Sequence, residues 1–227
     1  LAIANARLYA HLEEIASLDQ LTGSLNRRAF IQEAERAAER AIRDGKPISI
    51  IMLDLDRFKK INDTHGHGTG DDVLKAAMHR SVSELRAGDI AGRFGGEEYI
   101  FLLPDTESQT AAAAAERIRS RIASEPISTR TGLVPVTASL GIASTIPKGS
   151  TTLAALIEAA DTAMYRAKKS GRNRVRLADL PFPADSSEKP SVEITCMTGK
   201  ALDRDSRGRQ GIRESSEIGR ASCRERV

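Results

Sequence analysis

Two short acidic segments carry the chemistry this sequence can do. The first is Leu53-Asp54-Leu55-Asp56, which closes an apolar run that starts at Ile48. The second is Gly95-Gly96-Glu97-Glu98. Side chains alternate along a strand, so Asp54 and Asp56 are expected on one face. Glu97 and Glu98 follow two glycines at an expected hairpin tip. If that hairpin lies beside the Asp54 strand, the carboxylates converge. Converging carboxylates repel, and burial raises their pKa unless a cation stands between them. Hard oxygen donors of this kind suit Mg²⁺ or Mn²⁺, with water and phosphate completing the shell. Glycine at 95 and 96 removes side chains where a phosphate could approach the main chain. Carboxylates, a divalent cation and bare backbone are the equipment for phosphoryl or nucleotidyl transfer. The plainer alternative is that Asp at a strand end and Glu after Gly-Gly are solvated turn residues.

The flanking segments add groups of the right type. RFKKINDTHGHGTGDD follows the acidic strand directly. In it Lys59 and Lys60 could meet phosphates, and Asn62 and Asp71 could read a purine edge. A carboxylate can accept both N1–H and N2–H of guanine, a pair adenine does not offer, so such an Asp selects a guanine nucleotide. Lys168 and Arg172, in AKKSGRN, fall at a helix end and the turn after it. Either could neutralise a triphosphate, or simply provide favourable charge at a helix C-terminus. His65 and His67 flank a glycine and read as turn residues or as metal ligands.

Such groups need a scaffold that holds them together. Arg27 to Arg43 is rich in Ala, Glu and Arg and predicts a helix ending at Asp44-Gly45. Ile48 onward predicts a buried strand. Residues 69–86 predict a second helix, with Gly70-Asp71 at its start and Val73, Leu74, Ala77 and Met78 on one face. Ile90 to Leu103 predicts two strands around Gly95-Gly96. Ser108 to Ala123 predicts a helix, Val134 to Ala143 a strand, Leu153 to Lys169 a helix, and Val175 to Leu177 a closing edge strand. The sum is an α/β (α+β) sandwich with at least one antiparallel hairpin and helices packed on the sheet.

The remainder of the chain divides around this unit. Leu1, Asn5, Leu8, Leu12 and Ile15 make a short heptad seam within residues 1–18. Such a seam is expected of a helix continuing from an upstream region, or of an ordinary amphipathic helix. Residues 179–227 lose hydrophobic periodicity and gain Pro, Ser, Gly and Arg, so disorder is expected there. In one choice of codons residues 217–227 spell a common sequencing-adapter sequence, and no function is assigned to that tail.

The whole chain has 227 residues, 34 basic against 31 acidic, and no Trp. The charges are interspersed and aromatics are 4%. A nucleic-acid partner is therefore not expected. Both cysteines, Cys196 and Cys223, lie in the tail. A reducing, cytoplasmic setting follows for the rest. No apolar run reaches the roughly 18 residues needed to span a membrane.

Residues 19–178 resemble the GGDEF domain of bacterial diguanylate cyclases. The resemblance rests on DQLTGSLNRR, LDLDRFKKINDTHGHGTGDD, RAGDIAGRFGGEEY, AERIR, VTASLGIA and ADTAMYRAKKSGRN, in the family's order and spacing. The signature reads Gly95-Gly96-Glu97-Glu98-Tyr99, with Glu and Tyr where the family name has Asp and Phe. Ser24 stands where a Leu is usual, a minor change in packing. The resemblance implies a mainly antiparallel, polymerase-palm-like and nucleotide-cyclase-like sheet. It implies condensation of two GTP into cyclic di-GMP with release of two pyrophosphates.

Carried over residue by residue, the resemblance implies that Asp54, Glu97 and the Leu55 carbonyl hold the metal ions. Glu98 is then the base near the attacking 3′-hydroxyl, and Asn62 and Asp71 read guanine. Phe58 and Lys59 close over the phosphates, and Lys168 and Arg172 bind their outer oxygens. Arg86, Asp89 and Arg117 form an inhibitory site for the product; without the family, Arg86 and Asp89 read as a surface salt bridge. Each domain binds one GTP, so a homodimer is implied. The 1–18 helix would couple it to an upstream sensor, of GAF type by the join NARLYAHLEEIASLDQLTG. Two other functions compete: a non-catalytic cyclic di-GMP or GTP-binding module, and a cyclase of altered base choice.

Overall fold

An eight-residue strand with every residue buried runs through the middle of a six-stranded sheet. The computed structural model describes residues 17–145 and 151–178. In chain order the elements are β1 (Leu25–Asn26), α1 (Arg27–Asp44), β2 (Ile48–Leu55), α2 (Phe58–His65) and α3 (His67–Val82). There follow β3 (Ile90–Arg93), β4 (Glu98–Pro104), α4 (Ser108–Ala123), β5 (Ile127–Thr129) and β6 (Gly132–Val134). The last are β7 (Ala138–Ser144), α5 (Leu153–Lys169) and β8 (Arg174–Leu177).

Six strands form one sheet in the order β1-β3-β4-β2-β7-β8, and β5 pairs with β6 separately. The central pairings of β2 with β4 and β7, and of β3 with β4, are antiparallel; the two edges are parallel. The α/β sandwich with a mainly antiparallel sheet is therefore the fold.

Alternation sorts the core onto two faces. Ile50, Met52, Ile100 and Leu102 pack with Phe30 and Ala34 of α1 and Ala160 and Met164 of α5. Ile51, Leu53, Tyr99 and Phe101 pack with Val73 of α3 and Ile118 of α4. Each fully buried large side chain contributes about 1.5–3 kcal/mol, so two such layers on one strand make β2 a rigid base for its acidic end. The Tyr99 hydroxyl, the extra group in the signature, donates to the Leu74 carbonyl at 2.9 Å. The ring stays in the core and no buried donor is left over.

Local signals explain the helix ends. The Asn26 side chain accepts from the Ala29 N–H at 3.0 Å, and Gly45 closes α1 in the left-handed conformation. Glycine at 141 in β7 has a tertiary reason. A Cβ there would lie 2.0 Å from the Ala160 carbonyl oxygen and 2.1 Å from the Met164 nitrogen. The absent side chain lets α5 rest directly on the sheet.

The structure corrects several expectations. The helix expected over 69–86 starts earlier, at His67, and ends at Val82. A separate helix, α2, occupies 58–65, a stretch in which the sequence offers candidate groups but predicts no element; Gly66 at φ 82 breaks the two apart. The strand expected over 134–143 is divided, with Val134 ending the small hairpin and Ala138 beginning β7. Of the 1–18 helix, Ser17 and Leu18 form a turn and an isolated bridge to Leu25, and residues 1–16 lie outside the described residues. The tail expected from 179 to 227 also lies outside them.

Candidate active site

The pairing of β2 with β4 ends on Asp54 opposite Glu98. The Leu55 N–H donates to the Glu97 carbonyl oxygen at 3.3 Å, so the hairpin tip lies against the end of β2. Asp54, Glu97 and Glu98 thus share one corner of the sheet. Asp54 is nearly fully buried, and the Lys168 ammonium sits on its carboxylate at 2.7 Å. Lys168 comes from the last turn of α5, the helix seated on Gly141.

The electrostatics are those of an under-neutralised acidic cluster. Burial pushes the Asp54 carboxyl up; Lys168 pulls it down, Glu98 and Asp56 push it up again, and the net shift is upward. Burial is likewise the largest influence on Glu97, whose pKa rises further beside Asp54 and Glu98 despite Lys168. One lysine does not offset these carboxylates. A divalent cation would, and the donor set of carboxylate and main-chain oxygens fits a hard ion. Among the described residues no three His, Cys, Asp or Glu side chains are grouped to hold a metal alone. A cation here would take one or two carboxylates, with carbonyl, water and phosphate for the remainder, as Mg²⁺ usually does.

The hairpin tip is held from outside. Arg93 donates to the Gly96 carbonyl oxygen at 2.7 Å and to both Asp19 oxygens at 3.1 Å. Asp19 also accepts from the N–H and hydroxyl of Thr22. Its burial raises its pKa, but the hydrogen bonds from Thr22 and Arg93 and the charge of Arg93 outweigh that and lower it. Sequence reasoning quoted both residues within motifs but assigned this clamp to neither.

The two glycines differ. A Cβ on Gly95 would lie 2.3 Å from Glu98 Oε2, so the missing side chain makes room for that carboxylate. Only Gly96 has open space around it. Glu98 also lines an open groove of about 510 Å³ between α1 and α5, with Arg27, Ile31, Met52, Phe94 and Asp161.

Asn62 of α2 and Gly70 of α3 meet across the α2–α3 break, and Asp71 follows Gly70 in sequence. Asn62 Oδ1 is buried with no hydrogen-bond partner among the described residues. A Cβ on Gly70 would lie 1.9 Å from it. A buried orphan acceptor of this kind calls for a donor from elsewhere. The neighbouring Asp72 is taken up by Arg130 of the small hairpin at 2.9 Å, which leaves Asp71 as the acidic group of that turn.

Other expected residues are placed less simply. The Phe58 ring is buried in the core, so only its main chain could face phosphates. Lys59 and Lys60 are exposed, as are His65 and His67. Arg172 follows α5 with φ 64, and among the described residues its side chain takes no ion pair. Asp56 lies one residue beyond β2 rather than within it. Its carboxylate is used by Thr137 and Ser139 hydroxyls and by the Asn173 N–H, not by the acidic cluster.

Away from this corner, Arg86, Asp89 and Arg117 line one groove of about 200 Å³. Arg86 pairs with Asp89 at 3.1 Å and donates to Thr106 Oγ1 at 2.6 Å and to the Pro104 carbonyl oxygen. Arg117 donates to the Glu84 carbonyl oxygen at 3.1 Å.

Residues 16–174 match the family model described as the GGDEF domain of diguanylate cyclases. The chain belongs to the GGDEF domain family. It is 42% identical over 167 residues to the response regulator PleD of Caulobacter vibrioides. It is 42% identical over 172 residues to the diguanylate cyclase DgcM of Escherichia coli K12. These alignments cover 73% and 76% of the chain but only 37% and 41% of those proteins. The chain thus spans well under half the length of these relatives.

Solved GGDEF domains share the fold. That of DgcB from Caulobacter crescentus, in complex with c-di-GMP, is 35% identical at a TM-score of 0.69, covering 73% of this chain and 94% of that one. The active GGEEF domain of a Vibrio cholerae diguanylate cyclase is 35% identical at 0.64, covering 69% and 98%. Among the described residues of this GGDEF domain no helix is long and apolar enough to cross a membrane.

Proposed function

We propose that this GGDEF domain condenses two GTP into cyclic di-GMP and two pyrophosphates. The observation that carries the reading is the acidic corner: Asp54 opposite Glu98, Glu97 beside them, and Lys168 on Asp54. Asp54, Glu97 and the Leu55 carbonyl would hold Mg²⁺ or Mn²⁺, which when bound offsets charge on the attacking and leaving oxygens at the α-phosphate. Asn62 and Asp71 would orient guanine, with the orphan Asn62 oxygen accepting from the base. Lys168 and Arg172 would meet the β- and γ-phosphates; Lys168, which now sits on Asp54, would be free to do so once Asp54 is a metal ligand. Glu98 would accept the proton of the 3′-hydroxyl. It is open to the groove between α1 and α5, the side from which a second nucleotide can arrive.

One domain carries one such corner, so the reaction requires two copies face to face. In the full-length protein a cytoplasmic homodimer coupled through residues 1–18 to an upstream sensor fits this scheme. A demonstrated dimer given GTP and Mg²⁺ should release cyclic di-GMP, detected by chromatography. No product from that dimer would overturn the reading in favour of a non-catalytic cyclic di-GMP or GTP-binding module. Product from ATP as readily as from GTP would overturn the guanine roles of Asn62 and Asp71.

The groove at Arg86, Asp89 and Arg117 supports a second role for the product, as feedback ligand. Guanidinium groups contact phosphate bidentately and stack on bases. Arg86→Ala should weaken inhibition by added cyclic di-GMP at least about tenfold, the loss of one charge-assisted hydrogen bond or more. An unchanged inhibition curve would remove this site from the mechanism.

A further inference from the structure

Asp56 is a buried carboxylate that no cation accompanies. Its residue is 7% exposed, and among the described residues it forms no ion pair. Its charge is met by three neutral donors: Ser139 Oγ at 2.6 Å on one oxygen, and Thr137 Oγ1 at 2.7 Å and the Asn173 N–H at 2.9 Å on the other. Its own N–H donates to the Thr137 carbonyl oxygen at 2.9 Å. Burying a carboxylate is costly, and hydrogen bonds only offset that cost. The donors that offset it come from two remote segments, the 137–139 stretch and the turn after α5.

The partner at Asn173 indicates the role of Asp56. Gly171, Arg172 and Asn173 have φ of 114, 64 and 44, three successive residues in the left-handed region. Only the first is glycine, and Asn tolerates this region, so the strain falls mainly on Arg172 and the turn gains from restraint outside it. It is tied back by the Arg172 N–H to the Ala167 carbonyl oxygen at 3.1 Å. It is tied sideways by Arg119 to Asn173 Oδ1 at 2.6 Å, and to the sheet by Asp56. Two residues before Asp56, Asp54 holds Lys168. The end of β2 thus grips the C-terminal end of α5 at two points, the ammonium of Lys168 and the amide of Asn173, with Arg172 adjoining the second.

We propose that Asp56 is a positioning residue: it fixes the Gly171–Asn173 turn, and so the place of Arg172, relative to the acidic corner that Asp54 and Glu97 form. It rests on the reading of Arg172 as a phosphate-binding residue. No metal or nucleotide contact is assigned to Asp56 itself, whose two oxygens face Ser139, Thr137 and the Asn173 amide.

The test compares GTP and GMP binding, with Ca²⁺ replacing Mg²⁺ to hold back turnover, in the full chain. GMP lacks the β- and γ-phosphates. Arg172→Ala should weaken GTP about tenfold and GMP by less than twofold. Asp56→Ala should show the same discrimination, and the double variant should be no weaker than Arg172→Ala alone, since the two act as a unit. Asp56→Asn should restore GTP affinity to within about threefold. Its carbonyl can accept from Asn173 and Thr137 while its amide donates to Ser139. If Asp56→Ala loses its circular-dichroism signal, Asp56→Ser replaces it, with a hydroxyl too short to reach the turn. Equal weakening of GTP and GMP, or additivity with Arg172→Ala, overturns the proposal and leaves Arg172 in its role. Unchanged GTP binding in Arg172→Ala overturns both.

Discussion

Glu97→Gln should abolish cyclic di-GMP formation by at least about 1,000-fold, equivalent to about 4 kcal/mol of transition-state stabilisation, while making the metal-free domain slightly more stable at neutral pH. Glutamine keeps the shape but cannot supply an anionic metal ligand. The stability gain comes from the same cluster. Burial, Asp54 and Glu98 together raise the Glu97 pKa above its usual 4.5 despite Lys168. A carboxyl raised in the folded state binds protons more tightly there than in the unfolded chain. Its penalty is absent below 4.5 and grows as pH rises through the raised value. The variant should therefore match the parent at pH 4 and exceed it at pH 7, by at most about 1 kcal/mol for a partly solvated group. Calorimetry in EDTA across that range, beside product chromatography with Mg²⁺, checks both halves. Turnover within tenfold of the parent, or a gain that persists unchanged at pH 4, would contradict the argument.

The second large effect is expected at a residue that has no side chain of its own. Gly141→Ala places a methyl 2.0 Å from one backbone atom of α5 and 2.1 Å from another. Backbone cannot swing aside as a side-chain tip can, so the whole helix must lift. Overpacking of this kind costs about 1–3 kcal/mol. For a chain of this size that lowers Tm by roughly 3–10 °C. The same displacement draws Lys168 away from Asp54, so GTP affinity should fall about tenfold or more, the loss of one charge-assisted contact. Gly96→Ala is the stability control, because no atom lies within 4 Å of its added Cβ. Equal melting temperatures for the two variants would mean that α5 accommodates the methyl, and that Gly141 does not set the position of Lys168.

These two cases mark where the chemistry of the site originates. Glu97 acts by its own charge, and a side chain with that charge after Gly-Gly is visible in a string of letters. Gly141 acts by what it lacks. Its importance depends on a helix that begins twelve residues later, and no local pattern announces it. Asp56 combines both cases. Alternation along a strand put it on the same face as Asp54, but β2 ends at Leu55 and the chain turns before Asp56. The direction of its side chain then follows from Thr137, Ser139 and Asn173, all more than eighty positions away.

What the sequence alone determined was the set of elements with strong periodicity and the carboxylates to which the proposed chemistry is assigned. The helices at 27–44, 108–123 and 153–169 were legible because each carries a buried stripe, and the first and last also start on a capping side chain. The acidic strand and hairpin were legible because charge interrupts an apolar run only where the chain leaves the core. The α2–α3 break and the β5–β6 hairpin were not, because short elements have too few turns to show a period, and tertiary packing decides them. Only the tertiary structure decided the register that sets Asp54 opposite Glu98 and the seating of Lys168 through Gly141. It also decided the clamp from Asp19 through Arg93 to Gly96. Each of these is a contact between residues remote in sequence, whose partners hydrogen bonding and close packing select only after the chain has folded.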